Sequence, residues 1–171
     1  MELAVLGLGS NLGNRLASLK KALNNLYFMP GFDILAFSSV YETEPWGFKN
    51  QNNFLNCVIA GLYRFDAARL FEEVKEIEKK TGRIGRDRWH PREIDIDILF
   101  FGSKKYKSKN LVIPHPQIIN RNFVLVPLSE IMSDFVHPVF GKRIITLLNE
   151  TNDKCKAVKT DKDLRKWKSQ K

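Results

Sequence analysis

The sequence predicts an α+β fold. Its core is βαββαβ, a mainly antiparallel sheet with helices on one face, and an extra strand and helix follow toward the C-terminus. Three observations predict this. Apolar runs of strand length alternate with two stretches of helical periodicity. Glycine and proline fall between the runs, where the chain must turn. The resulting order of strand, helix, strand, strand, helix, strand is the split β-α-β arrangement of ferredoxin-like folds.

Leu3 to Leu8 is a short apolar run ending among Gly7, Gly9 and Gly13, read as a buried strand and a turn. A helix follows from Asn14 to Leu26, with Leu16, Leu19, Leu23 and Leu26 on one stripe, and Pro30 and Gly31 end it. Phe32 to Val40 is rich in β-branched and aromatic residues and reads as the second strand. Tyr41 to Asn53 contains Pro45 and Gly47 and reads as a long loop of the functional kind. Phe54 to Tyr63 is the third strand. Asp66 is placed to cap a second helix with stripe Leu70, Phe71, Val74 and Ile77, and Gly82 stops it. A second loop, Arg83 to Arg92, leads into a strand from Ile94 onward. Leu111 to Ile113, a Pro-His-Pro turn at 114 to 116 and an apolar strand from Phe123 to Leu128 complete the reading.

The 171 residues suit one domain, placed here at 1–153, followed by a basic tail at 154–171. That tail holds eight of the basic residues and two acidic ones, so most of the +9 charge lies in it rather than on a nucleic-acid-binding face. It is read as solvated and partly helical, and nucleic acid is not expected as a partner. No apolar run approaches the ~20 residues that span a bilayer, so no membrane partner is expected either. The first residues lack the basic start and apolar core of a signal peptide. Cys57 and Cys155 are too few for a disulfide framework, and Cys57 reads as a small buried hydrophobe. A cytoplasmic location and a monomer or homodimer are expected.

The chemistry concentrates in Arg88-Trp89-His90-Pro91-Arg92-Glu93-Ile94-Asp95-Ile96-Asp97. Strand alternation puts Ile94, Ile96 and Ile98 on one face and Asp95, Asp97 and Leu99 on the other. Same-face carboxylates about 7 Å apart suit a hard divalent cation, which commonly takes one or two carboxylates plus substrate phosphates. An isolated pair of this kind is equally compatible with a solvated strand face. The arginines beside it shift the reading. Arg83, Arg86, Arg88 and Arg92 offer planar donors to phosphate oxygens, and cations beside a metal seat specify phosphoryl-group transfer. His115 and Arg121 could reach the same anion. On the third strand Phe54 and Asn56 share a face. An aromatic plane beside a carboxamide suits a flat heterocycle, with Trp46 and Phe123 able to complete a sandwich. No lysine-bearing phosphate loop and no zinc spacing is present.

Taken together, Gly9-Ser10-Asn11-Leu12-Gly13, Tyr41-Glu42-Thr43-Glu44-Pro45, Phe54-Leu55-Asn56, Gly82-Arg83, Pro91-Arg92-Glu93-Ile94-Asp95-Ile96-Asp97 and Pro114-His115 resemble the 6-hydroxymethyl-7,8-dihydropterin pyrophosphokinase family of folate biosynthesis. The resemblance covers roughly residues 3 to 150. It implies transfer of pyrophosphate from ATP to the pterin hydroxymethyl group, with AMP released. It implies two Mg²⁺ ions on Asp95 and Asp97, and catalytic roles for Arg92 and Arg83. Glu78, Arg88, Arg92, Ile98, Leu111, His115 and Arg121 are the expected ATP contacts. Thr43, Pro45, Trp46, Phe54, Asn56, Trp89 and Phe123 are the expected pterin contacts. His90, Glu44, Trp46 and Pro116 depart from the family pattern, and none of them removes a metal ligand. An RNA-binding module of the same fold would use the sheet aromatics but has no need of paired aspartates. A Mg²⁺-dependent nuclease would use the aspartates but not the Phe54 and Asn56 pair.

Overall fold

The computed structural model describes residues 1–47, 50–84 and 90–164. Arg88 and Trp89 therefore lie outside the described residues, as do 165–171. The chain runs β1 (Glu2–Ser10), α1 (Arg15–Tyr27), β2 (Phe32–Phe37), β3 (Tyr41–Thr43), β4 (Phe54–Tyr63), α2 (Ala67–Thr81) and β5 (Asp95–Phe101). A small hairpin of β6 (Tyr106–Lys107) and β7 (Val112–Ile113) follows, then α3 (Asn122–Met132), α4 (Ile144–Glu150) and β8 (Ala157–Lys159).

The local signals act as read. The Asn14 side chain accepts from the Ala17 N–H at 3.1 Å and starts α1, while Asp66 accepts from the Arg69 N–H at 2.8 Å and starts α2. Gly82 closes α2 at φ 114°, where a side chain would be strained. Leu19, Ala22, Leu23 and Leu26 of α1, with Leu70, Val74 and Ile77 of α2, bury against Leu6, Leu8, Leu55, Cys57, Ile59, Ile96 and Ile98 of the sheet.

The main sheet has the order β5-β1-β4-β3-β8, and β2 pairs the other end of β4. All of these pairings are antiparallel. The expected strand Phe32 to Val40 is thus shorter, ending as β2 at Phe37. It breaks at Ser38, whose hydroxyl accepts from the Val58 N–H at 2.9 Å in place of a regular ladder bond. The first residues of the expected loop, Tyr41 to Thr43, form β3 beside Asn56 to Phe54.

Three further sequence expectations are corrected. Phe123 to Leu128 is not a strand but the first half of α3. Val124, Leu125 and Leu128 form a helical stripe that Ile131 and Met132 continue. The two core helices share one face as expected, and the helices that follow the core, α3 and α4, pack on the other against Val5, Val58, Ala60, Leu99 and Phe100. Gly7 and Gly9 are inside β1 and not in a turn. The described part of the tail is not solvated helix: β8 extends the sheet beyond β3, and Leu164 is buried in the main core. No described helix is long and apolar enough to cross a membrane.

Candidate functional site

On the α3/α4 face, the part of the sheet that these helices leave uncovered holds a cavity of about 250 Å³. Its floor follows from register. On β1, Gly9 lies between Asp95 of β5 and Asn56 of β4, and Gly7 lies between Asp97 and Val58. With strands ~4.8 Å apart, the carboxylates and the carboxamide sit ~10 Å from each other across a rung that carries no central side chain. A Cβ on Gly9 would come within 2.8 Å of Asn56 Oδ1, so the glycine is what gives that carboxamide its room. Neither glycine had been assigned to the site. The signal was present in the alternation of Gly7 and Gly9 with Leu6 and Leu8, which keeps one face of β1 bare.

At the pterin-like end, Asn56 Nδ2 donates to Thr43 Oγ1 at 2.8 Å, leaving Oδ1 toward the space above Gly9. Phe54 and Trp46 line the cavity, and Phe123 reaches it from the first turn of α3 and not from a strand. Pro45 is buried and is not among the lining residues. The Arg121 guanidinium lies 5.0 Å from the Trp46 ring centre and 5.5 Å from that of Phe123.

At the anionic end, both Asp95 oxygens are engaged by arginines: Arg83 at 2.7 Å and Arg92 at 2.6 Å. Asp97 makes no hydrogen bond or ion pair within the described residues. Burial pushes its carboxyl above the usual carboxylate range, and Asp95 adds to the shift. The charges of His115, Lys75 and Arg121 oppose it. Asp95 is thus held by two arginines, whereas Asp97 faces the cavity without an ion-pair partner among the described residues. No described cluster of three His, Cys, Asp or Glu forms a self-sufficient metal cage. Two carboxylates facing a cavity with no third protein ligand fit Mg²⁺, which keeps positions for phosphate oxygens and water.

His115 is placed by a bulge. The β1–β5 register shifts at Val5/Leu6, leaving Leu99 as the extra residue, and the His115 N–H donates to the Leu99 carbonyl at 3.0 Å. Its Nδ1 accepts from the Gln117 N–H at 3.2 Å, so the ring proton belongs on Nε2, available to an anion. Burial lowers its pKa, Asp97 acts against that, and Arg121 adds to it.

Glu78 does not line the cavity. Its buried carboxylate accepts from the Ile96 N–H at 2.7 Å and from Lys75 at 2.9 Å, and it pairs with Arg83, tying α2 to the aspartate strand. Burial raises its pKa, with Lys75 opposing. Ile98 and Leu111 belong to the core beneath the site. Sequence reading also passed over Asn11, which is fully buried. Its Oδ1 accepts from the Arg92 N–H at 2.8 Å, and its Nδ2 donates to Gln51 at 2.9 Å and to the Asn52 carbonyl at 3.3 Å. One amide thereby fastens the loop after β3 to the approach of the aspartate strand.

Comparison with known proteins gives matches over most of the chain. Residues 5–133 match the family model described as 7,8-dihydro-6-hydroxymethylpterin-pyrophosphokinase (HPPK). The chain is 41% identical over 142 residues to the 2-amino-4-hydroxy-6-hydroxymethyldihydropteridine pyrophosphokinase of Aquifex aeolicus, covering 83% of this chain and 88% of that protein. The protein of the same description from Methylorubrum extorquens is 42% identical over 136 residues, covering 80% and 86%. Similarity in fold extends to a Plasmodium falciparum HPPK-DHPS crystal structure, with a TM-score of 0.71 at 20% identity. That match covers 87% of this chain and 45% of the Plasmodium chain, so this chain corresponds to less than half of it.

Proposed function

From the premise that the chain belongs to the 7,8-dihydro-6-hydroxymethylpterin-pyrophosphokinase family, we propose how its two-ended cavity divides the labour of that reaction. The enzyme transfers pyrophosphate from ATP to the hydroxymethyl group of 6-hydroxymethyl-7,8-dihydropterin in folate biosynthesis, releasing AMP. The rung Asp95–Gly9–Asn56 carries the proposal. It sets a heterocycle-recognising amide about two strand spacings from a carboxylate pair, with a bare floor between them.

In this reading Asn56 and Thr43 bond the pterin edge, while Phe54, Trp46 and Phe123 pack its ring. The hydroxymethyl arm then points along the rung toward Asp95 and Asp97. Those carboxylates hold two Mg²⁺ ions with the nucleotide. The chemistry Mg²⁺ supplies when bound is neutralisation of phosphate charge and polarisation of the attacking hydroxyl. Arg83 and Arg92 already neutralise Asp95, and they exchange that partner for phosphate oxygens when ATP enters, a change that suits their planar donors. His115 donates from Nε2 to a phosphate oxygen, and Arg121 adds its charge. Glu78 contributes by position, keeping Arg83 and the Ile96 backbone in place. Adenine meets mostly backbone near Ile98 and Leu111, and Pro45, between Glu44 and Trp46 of the cavity lining, is a pterin contact. Arg88 and Trp89 are retained as loop contacts to nucleotide and pterin. Catalysis of this kind comes from positioning and charge neutralisation, with no protein base required.

Cys57 is fully buried and its thiol is pushed up to about 12, which fits a packing role in a reducing cytoplasm.

The test pairs the two ends of the rung. Asp95→Ala should collapse formation of AMP from ATP, Mg²⁺ and pterin while pterin binding persists. Asn56→Ala should raise the pterin KM with a smaller effect on kcat. Loss of pterin binding in the first variant and unchanged KM in the second would overturn the division.

A further inference from the structure

Arg121 reads in sequence as a phosphate ligand, yet its guanidinium lies against the faces of two rings assigned to the pterin. We propose that Arg121 plugs the ring slot of the empty enzyme, and that a pterin ring and this guanidinium compete for the Trp46 and Phe123 faces. The proposal rests on the pterin subsite assigned above.

Three observations carry it. Both ring centres lie within the ~6 Å reach of a cation–π contact, at 5.0 and 5.5 Å, so one guanidinium serves two aromatic faces. Trp46, Phe123, Arg121 and Asn56 all line the same cavity, so the contact occupies the space a ligand would enter. Asp97 and His115 line that cavity with Arg121 as well, which places Arg121 at the junction of the ring end and the anionic end.

The chemistry of guanidinium explains why one side chain suits both seats. It is a planar, delocalised cation that is weakly hydrated. It stacks on aromatic faces as a heterocycle does, and it also forks onto phosphate oxygens. Exchange between the seats needs only side-chain rotation, because the backbone of Arg121 is fixed on both sides. Its N–H donates to the Ile118 carbonyl at 3.3 Å, and its carbonyl accepts from the Val124 and Leu125 N–H groups at 3.0 and 2.9 Å.

The consequence is coupling between the two substrates. A nucleotide that offers phosphate oxygens to Arg121 draws it from between the rings and opens the slot. By linkage, a pterin that expels Arg121 delivers a free cation to the phosphates. The pterin-binding aromatics and the phosphate-binding cation thus form one two-position element.

The experiment is calorimetric titration of 6-hydroxymethylpterin, which serves as a binding probe, into the full chain. It uses wild type, Arg121→Ala and Asn56→Ala, each without nucleotide and with Mg²⁺ and a nonhydrolysable ATP analogue. Without nucleotide, Arg121→Ala should bind the probe about fivefold to thirtyfold more tightly than wild type, the scale of two exposed cation–π contacts. The gain in probe affinity that nucleotide gives wild type should shrink in this variant. A role confined to holding phosphate predicts no tightening. Unchanged or weaker binding by Arg121→Ala, while Asn56→Ala binds more weakly than wild type, overturns the plug and leaves the subsite standing. Unchanged binding by Asn56→Ala overturns both. Wild type gives an independent reading by NMR. The Arg121 Nε–H resonance should be shielded by the rings in the empty enzyme and lose that shielding when the probe is added alone. A resonance that does not move overturns the proposal.

Discussion

The two faces of the sheet share their strands and follow opposite rules. Beneath α1 and α2, every inward position is filled. Ile94, Ile96 and Ile98 of the aspartate strand are 0%, 1% and 3% exposed and meet leucines from both helices. On the other face the same strand presents Asp95 and Asp97, the neighbouring strand presents Gly7 and Gly9, and a cavity of about 250 Å³ remains. One face is packed throughout, while the other is packed only where Val5, Val58, Ala60, Leu99 and Phe100 meet α3 and α4 and is left bare at Gly7 and Gly9. Residue parity separates the two faces, and on the second face position along the strands separates the packed part from the open one. The open part carries an energetic cost: burial disfavours the ionised form of Asp97, so the empty enzyme holds a charge it would fold more easily without.

Substitutions that cross this division should separate activity from stability. The largest effect is expected at Asp97. Asp97→Asn should lower kcat on the order of 10³-fold, the scale for losing a group that organises transition-state charge. It should also raise the melting temperature in Mg²⁺-free buffer, because a carboxyl whose folded pKa is raised weakens folding at neutral pH. A fall in melting temperature would break the contrast between the faces. One position earlier, Ile96→Ala should cost about 2–5 kcal/mol in denaturant titration, with activity per folded molecule largely kept.

Smaller effects sharpen the contrast. Asn56→Ala removes a buried polar contact with Thr43 and the pterin, and should raise the pterin KM by roughly tenfold to a hundredfold. Gly9→Ala adds one methyl group 2.8 Å from Asn56 Oδ1, and should raise the same KM several-fold while stability changes little. The smallest effect concerns the edge where α3 meets β3 and β8. There Glu130 accepts from the Ser39 N–H and hydroxyl at 2.9 and 2.7 Å, from the Tyr41 hydroxyl at 3.0 Å and from Lys159 at 3.2 Å. Burial opposes ionisation, but these donors outweigh it and hold the Glu130 pKa below its ordinary value. Its stabilisation is therefore present above the unfolded pKa and is lost as pH falls through the lowered folded value. Glu130→Gln should cost at most about 1 kcal/mol near pH 7, and its deficit against wild type should vanish in acid. A deficit that persists at low pH would refute the assignment.

How legible each part was depended on how local its signal is. β4 and α2 could be read to the residue or nearly so, because Asp66 and Gly82 mark their own helix and the apolar run of β4 is long and uninterrupted. Phe123 to Leu128 misled because a short run of Val, Leu and Pro does not distinguish a strand from a buried helix. Extending the window to Ile131 and Met132 exposes the helical stripe. β8 carried almost no signal. Ala157 to Lys159 is a three-residue strand in a lysine-rich stretch, and only the open edge of β3 gives it a place. In the site, Asp95, Asp97, His115 and Arg92 were visible as residue types in a pattern. Glycines that act by having no side chain, and Asn11 acting between two loops, were not.

The sequence by itself determined the alternation that places isoleucines and aspartates on opposite faces of one strand, the caps that start and stop two helices, and the set of groups suited to phosphate, metal and a flat ring. Those follow from neighbours along the chain, where backbone geometry fixes which way each side chain points. The tertiary structure alone decided that Gly9 falls between Asp95 and Asn56, that α3 delivers Phe123 from above the sheet, and that Arg121 comes to lie against two rings. Register and packing join residues dozens of positions apart, and a one-residue slip of β1 would turn its bare face toward the core.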